Sequence, residues 1–357
     1  MNQDVDNLSP RGADEAAGPL TGPVVTDAAD LTIYDVARAA GVAPSTVSRA
    51  LSKPGRVSFK TAERIRKVAD ELGYRSGRIE RSISERGTGM LAIVVADIAN
   101  PVFFGMIRGA ERTARERGYT MLVVESQESE PTERAALDRL IPVVDGAILA
   151  SSRMTDAAIR SLAKRKPVVL LNRTLSEVSS VVIDNVHAIK KATEHLTGLG
   201  HRSICYIAGP EASWSDAMRW RGLREAGLEL ELQVRRLGPF LPTLRGGAAA
   251  AAQWMTKPTT GVIAYNDLMA IGFVQAIIAA GRGVPGDVSV IGFDNIVDAT
   301  LVEPHLTTIA APLVSMGSAA VARLVKSSGR EEVAAEEPVL LPARLVVRGS
   351  TGPRREG

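Results

Sequence analysis

The sequence predicts an α/β protein with a compact three-helix unit near its N-terminus and a two-lobed core of parallel sheets covered by helices. Three observations carry this. Between Thr32 and Leu72 apolar residues recur at helical spacing in three short runs. From Met90 onward, short β-branched runs alternate with helical ones, the pattern of parallel sheets. A length of 357 residues with 45% apolar content leaves room for about two to three domains and a large core.

Residues 1–29 are rich in Asp, Ala, Gly and Pro without helical or strand period, so a disordered acidic arm is expected there. Charge is unevenly placed around it. The first thirty residues carry six acids against Arg11, whereas residues 31–88 carry twelve Lys and Arg against six acids. A basic module behind an acidic arm points to phosphate as the partner.

The basic module spans residues 30–74. Thr32 is placed to cap a first helix, with Val36, Ala37 and Ala40 on its buried face and Gly41 where a helix end needs positive φ. Pro44 restarts the chain at a first-turn position. Val47, Ala50 and Leu51 then point back onto the first helix, leaving Ser45, Ser48, Arg49 and Ser52 outward. Ser58 opens a third helix with Ala62, Ile65, Val68, Ala69 and Leu72 on one face, and Gly73 closes it. A helix that enters the DNA major groove needs such a surface: short hydroxyls that admit the backbone, and an arginine whose fork grips guanine. A solvated amphipathic hairpin would show much of the same pattern.

The run Thr32-Ile-Tyr-Asp-Val-Ala37, then Gly41-Val42, Ser45-Thr-Val-Ser-Arg-Ala-Leu51, Val57-Ser58 and Leu72-Gly-Tyr74 closely resembles the helix-turn-helix headpiece of lactose-repressor-type (LacI/GalR) transcription regulators. The likeness extends through nearly all of the remaining chain. It implies a periplasmic-binding-protein-like core, and operator contacts from Thr32, Pro44, Ser45, Thr46, Ser48, Arg49, Ser52 and Arg56. Residues 75–88 match the family's hinge segment, in which paired helices wedge a leucine into the minor groove; Ile83 stands at that position. The chain departs from the family at Ser76, where proline is frequent, at Glu80 and Glu85, which add negative charge near phosphates, and at Ala43, where a capping serine is usual.

The core elements follow in order. Strands are expected at 91–96, 119–125, 146–150, 167–171 and 181–183, with helices at 104–117, 131–140 and 155–163. A second alternation has helices at 186–198, 215–225, 247–255 and 267–280, and strands at 204–208, 233–238, 261–264 and 288–291. Strand 306–309 and helix 312–326 return toward the first lobe, and strands 338–341 and 344–347 close the chain. The lobes are therefore assigned as 89–183 plus 311–330, and 184–310 plus 335–348, with 349–357 as a tail. The tail lacks a leucine heptad, which favours a homodimer over a coiled-coil tetramer.

Two lobes with chain crossings form a cleft at the carboxyl ends of the strands, where small ligands bind. Polar residues at those ends are Asp97 with Phe103 and Phe104, Arg219, Asn266 and Asp294. Carboxylate and amide acceptors, an arginine fork and an aromatic face suit a polyol or a nucleobase; Asn266 and Asp294 also stand where they would cap the helices that follow. The resemblance assigns Arg219, Asn266 and Asp294 to effector contact, and Phe103 and Phe104 to the first cleft loop. Ala311 replaces the family's glutamine after Leu306-Thr-Thr-Ile309, so the family's ligand does not transfer.

Catalytic patterns are weak. No G-x-G-x-x-G follows a strand, and neither a Walker loop nor a G-x-S-x-G elbow is present. His187 and His195 are eight apart, too far for a zinc pair on one helix. No metal or cofactor is expected. Cys205 is the single cysteine and reads as a buried thiol in a reducing compartment. The N-terminus has no signal-peptide pattern and no run spans a bilayer. The sequence thus predicts a cytoplasmic, homodimeric repressor that is not an enzyme. Its partners would be double-stranded operator DNA and a sugar-like effector, with no membrane. A transport-type solute-binding protein or an α/β enzyme acting on a small polar metabolite is the alternative.

Overall fold

The computed structural model describes residues 32–52, 57–72, 87–327 and 337–354. The acidic arm and most of the hinge segment lie outside them. The chain divides into two compact units, one holding the N-terminal helices and one holding both sheets.

The N-terminal unit consists of α1 (Ile33–Ala40), α2 (Pro44–Ser52) and α3 (Phe59–Leu72). At the start of α1 the Asp35 carboxylate accepts the Thr32 backbone N–H at 2.9 Å and its hydroxyl at 2.6 Å, closing the first turn. Gly41 ends the helix at φ 63°, and the N–H of Val42 returns to the Ala37 carbonyl at 3.0 Å. Val36, Ala37 and Ala40 of α1, Val47 and Ala50 of α2, and Ala62, Ile65 and Ala69 of α3 form a small buried core. Small residues dominate it, which lets three short helices approach closely. Leu72, expected on the buried face, is exposed at the end of α3.

The larger unit contains two six-stranded sheets. The first runs β11-β5-β4-β3-β1-β2, from β1 (Met90–Val95), β2 (Thr120–Glu125), β3 (Gly146–Ala150), β4 (Val168–Leu171), β5 (Ser179–Ile183) and β11 (Val339–Leu341). The second runs β12-β10-β9-β8-β6-β7, from β6 (Ser203–Ile207), β7 (Gln233–Leu237), β8 (Gly261–Ala264), β9 (Ser289–Asp294), β10 (Thr307–Ala310) and β12 (Arg344–Val346). Neighbouring strands are parallel except β10 and β12, which are antiparallel. Near-continuous apolar runs such as Leu91–Val95 are buried on both faces, as parallel strands under two helical layers require.

The first sheet carries α4 (Val102–Glu116), α5 (Glu130–Leu140), α6 (Asp156–Ala163) and the late helix α11 (Leu313–Ser327). The second carries α7 (Asn185–Gly198), α8 (Trp214–Glu229), α9 (Leu244–Met255) and α10 (Asp267–Ala279). Helices α4 and α11 touch backbone to backbone: a Cβ on Gly317 would collide with the Met106 carbonyl, and the Ser318 hydroxyl donates to the Gly109 carbonyl at 3.1 Å.

Two expectations are corrected. Residues 339–341 were assigned to the second lobe, but β11 pairs with β5 in the first sheet, Val339 opposite Val181. The chain is already in the first lobe on α11, and the open edge of β5 offers it backbone partners. Residues 349–354 are not a free tail. Ser350 is fully buried, its N–H donates to the His305 carbonyl, and its hydroxyl donates to the Val290 carbonyl at 2.6 Å. His201, also buried, places Nε2 3.0 Å from the Ser289 hydroxyl and 3.1 Å from the Gly352 carbonyl. Burial lowers its pKa below the ordinary histidine value.

Candidate functional site

On the helical unit, Ser45 and Arg49 of α2 are exposed, while Pro44, Thr46 and Ser48 are half-buried. No carboxylate among the described residues pairs with Arg49, so its guanidinium fork is available to a partner. Thr32 is exposed at the start of α1. The side chain of Ser52 and all of Arg56 and Ile83 lie outside the described residues. Sequence reasoning passed over Tyr34, whose ring is 65% exposed on α1, an unusual place for an aromatic side chain with a small core beneath it.

The second candidate site is the cleft between the two sheets. Loops at the carboxyl ends of the strands form a narrow pocket, lined from the first lobe by Asn100, Val102, Phe103, Glu128, Ser151, Arg153 and Asn172. The second lobe supplies Ser215, Arg219, Pro242, Tyr265, Asn266 and Asp294. At its centre is Arg219, 3% exposed, on α8. Its Nε donates to Asn185 Oδ1 at 2.9 Å, one terminal nitrogen donates to the Tyr265 carbonyl, and the other lies 3.7 Å from Asp294 Oδ1. The guanidinium carbon sits 3.5 Å from the centroid of the Phe293 ring.

The neighbouring chain fixes this arginine. Ser213 caps α8 through the Asp216 N–H, and the buried Asp216 carboxylate accepts the Tyr206 hydroxyl at 2.9 Å and the Gly209 N–H at 2.7 Å. The start of α8 is therefore tied to β6, and Arg219 emerges one turn later.

A second buried carboxylate, Asp267, supports the turn that carries Asp294. Asp294 ends β9 at φ 111°, a strained conformation for a residue with a side chain, and Asn295 follows at 59°. Asp267, fully buried, accepts the Ile296 N–H at 2.9 Å and the Thr308 hydroxyl at 2.5 Å, which holds that turn in place. Burial pushes the Asp294 pKa up to about 7 against the pull of Arg219. Burial and the nearby Asp294 charge raise Asp267 well above the ordinary carboxylate value.

The raised value at Asp294 has a defined sign. The folded protein holds a proton that the unfolded chain releases, so the stability from this group is full below the ordinary carboxylate range. It falls as pH rises toward about 7 and changes little above that. Asp294→Asn should therefore show a flatter stability profile than the parent between about pH 5 and pH 8. Calorimetric melting across that range checks this; two parallel curves would contradict it.

Of the six cleft residues expected from sequence, Phe103, Arg219, Asn266 and Asp294 line the space and Asp97 and Phe104 do not. Asp97 Oδ1 accepts the Ala99 N–H at 2.8 Å, closing the loop after β1 on itself. Phe104 is the next helical residue after Phe103, turned about 100° around α4, and is 53% exposed. Asn266 lines the cleft with both polar atoms engaged: Oδ1 caps α10 through the Met269 N–H at 3.0 Å, and Nδ2 donates to the Pro242 carbonyl at 3.2 Å.

Sequence reasoning missed Arg153, Glu128, Tyr265 and Asn172. The available signal was their place one to three residues past a strand end. Asn172 and Ser151 both adopt left-handed backbone, φ 60° and 65°, and Asn172 Nδ2 donates to the Ser151 hydroxyl at 3.2 Å. Asn172 lines the pocket, and its Oδ1 is buried without a hydrogen-bond partner.

A helix-turn-helix unit joined to a two-sheet core of the periplasmic-binding type defines a class of transcription regulators. Residues 32–76 match the family described as bacterial regulatory proteins, lacI family, and residues 193–351 match the periplasmic binding protein-like domain. The HTH-type transcriptional repressor CytR of Escherichia coli (strain K12) is 34% identical over 330 residues, covering 90% of this chain and 96% of the relative. A transcriptional regulator CelR–cellobiose complex superposes with a TM-score of 0.68 at 30% identity, covering 90% of this chain and 100% of that one. The lac repressor dimer bound to operator and the anti-inducer ONPF gives 0.76 at 26% identity, covering 90% and 99%. The chain belongs to the lacI family of bacterial regulatory proteins and is a transcription regulator with a helix-turn-helix DNA-binding unit. No helix among the described residues is long and apolar enough to cross a membrane.

Proposed function

We propose that this chain is a cytoplasmic, homodimeric repressor whose affinity for operator DNA is set by a sugar or sugar derivative bound between its lobes. The observation that carries the effector assignment is the buried Arg219–Asp294 pair, lining one pocket at the strand ends together with Asn172 and Ser151 of the other lobe. Arg153 is matched by Glu128 at 2.6 Å, and Arg219 by Asp294. With both guanidiniums already paired, the cleft suits an uncharged ligand rich in hydroxyls rather than an anion. Phe103 supplies an apolar face. The cellobiose bound to the CelR relative is a ligand of this chemistry.

A dimer presents two α2 helices to a roughly palindromic site, and the lac repressor relative is bound to operator as a dimer. Exposed apolar side chains fit such pairing. Val297 opens a short 3-10 turn that Leu301 follows, and Leu241 precedes α9 while Leu244 opens it; both segments abut the start of α10, through the Asp267–Ile296 and Asn266–Pro242 bonds. The ligand shifts operator affinity only as far as it binds the two lobe arrangements unequally.

Anisotropy titration of full-length protein with duplexes from its own promoter, with and without cellobiose, ribose and other sugars, tests this reading. Salt-sensitive binding that a sugar alters supports it, and no affinity for any such duplex overturns it. Arg49→Ala should weaken operator binding roughly 5- to 150-fold and relax the preference at one base pair. An unchanged consensus from binding-site selection would remove Arg49 from the major groove.

A further inference from the structure

Just before β1, where the chain from the DNA-binding unit joins the first lobe, one carboxylate takes hold of it. Asp145 stands between α5 and β3. Its Oδ1 accepts the Thr88 N–H at 2.6 Å and the Thr88 hydroxyl at 3.0 Å, and its Oδ2 accepts the Gly89 N–H at 2.8 Å. Hydrogen bonds to an ionised acceptor are the strong ones. The Thr88 hydroxyl oxygen in turn accepts the Met90 N–H at 3.2 Å, so the clamp runs directly into β1. Gly87 and Gly89 have φ of 83° and 70°, and a Cβ on Gly87 would stand 2.6 Å from Asp145 Oδ2. The carboxylate therefore lies against bare backbone that only glycine supplies.

Asp145 itself is fixed. Its N–H donates to the Met90 carbonyl at 2.7 Å, and Val144 before it is fully buried. Gly146 after it is packed so closely that a Cβ would meet a Leu324 methyl at 2.8 Å and the Pro167 carbonyl at 3.1 Å. The sheet does not need the clamp: β2 pairs with β1 from Met90 onward and β3 pairs with it from Leu91 onward. What Asp145 holds is the end of the connection to the DNA-binding unit.

We propose that Asp145 is a positioning residue for DNA binding: by clamping Thr88 and Gly89 it fixes the point from which each connection leaves the core, and so the spacing of operator half-sites that a dimer reads. This inference rests on the dimer proposed above, not on the effector. Without the clamp, Gly89 stays paired through its carbonyl, which accepts the Thr120 N–H at 2.8 Å, while residues 87 and 88 are released. Two residues of extended chain reach about 7 Å. One extra base pair moves the half-sites apart by about 3.4 Å and turns them by about 34°. The released chain exceeds that displacement, so losing the clamp relaxes the spacing rule.

The test is half-site spacing. Binding-site selection on the full-length parent supplies a duplex, and anisotropy titration compares it with versions carrying one base pair more or one fewer between the half-sites. The parent should lose roughly tenfold or more in affinity on either change, the scale of a forfeited second engagement. Asp145→Asn keeps the size of the side chain but puts an amide where three donors converge, and its loss should fall below about threefold. Thr88→Val, which removes only the hydroxyl, should relax the penalty part of the way, and Thr88→Ser should restore the parent profile. Affinity for a duplex with a single half-site should be the same in all four proteins. A merely structural role would weaken every duplex alike and leave the spacing ratio where it was. An unchanged ratio in Asp145→Asn and Thr88→Val, or a parent indifferent to spacing, overturns the role given to Asp145. Sedimentation of the parent checks the dimer separately: a monomer would overturn the dimeric reading together with this one, whereas a dimer whose variants keep the parent ratio overturns the clamp alone.

Discussion

Arg219→Ala is expected to destabilise the core by about 3–5 kcal/mol, the usual cost of removing one member of a buried ion pair. The guanidinium gives hydrogen bonds to Asn185 and the Tyr265 carbonyl, opposes the Asp294 charge and covers the Phe293 ring. Three of these partners have little water to turn to, since Asn185, Phe293 and Asp294 are buried. Urea unfolding measures the loss. Its pH dependence separates charge from packing. Without Arg219, the Asp294 carboxylate, already pushed up to about 7 by burial, loses the cation that favours its ionised form. The deficit of the variant should therefore shrink as pH falls, because the proton does part of what the arginine did. A pH-independent deficit would mean that lost packing dominates. Arg219→Lys should recover only part of the stability, as an ammonium cannot serve all these partners from one position. In both variants operator binding should no longer respond to a sugar that alters it in the parent.

The residues that define the architecture were legible because their signals are local. Gly41 reveals a left-handed helix end, Val36, Ala37 and Ala40 a buried face, and the runs at 146–150 and 261–264 strands whose ends the structure reproduces. Asp294 was legible as a charged residue at a strand end, whereas Arg219, inside α8, was drawn to the cleft only by the family resemblance. What the sequence hid depends on contacts between distant segments. Nothing local separates β11 from β12, three residues each with two between them, yet one completes the first sheet and the other the second. Nothing near Asn172 announces Ser215, whose hydroxyl donates to its carbonyl across the cleft. Asp97 looked like a ligand residue and serves its own loop, as Asp and Asn after strands frequently do. Asn266 shows both sides of that ambiguity, lining the cleft while its amide caps α10.

Gly292→Ala tests whether the geometry of Asp294 is imposed from beneath by Asp267. Gly292 lies in β9, and a Cβ built there would fall well inside contact distance of Asp267 Oδ1 and 2.8 Å from a methyl of Leu306. The leucine end can rotate away. The carboxylate cannot, because it is fully buried and bound to the Thr308 hydroxyl and the Ile296 N–H. Displacing it leaves those donors unpaired and frees the turn that holds Asp294 and Asn295 at positive φ. The expected loss is on the order of 3–5 kcal/mol, as for other broken buried charge networks, with the Arg219–Asp294 pair disordered as a consequence. Equilibrium denaturation gives the energy. In an Asp267→Ala background there is no carboxylate to displace, so Gly292→Ala should there cost far less than in the parent, the non-additivity expected of residues in contact. Equal costs in the two backgrounds would show that Asp294 is held by its own strand rather than by Asp267.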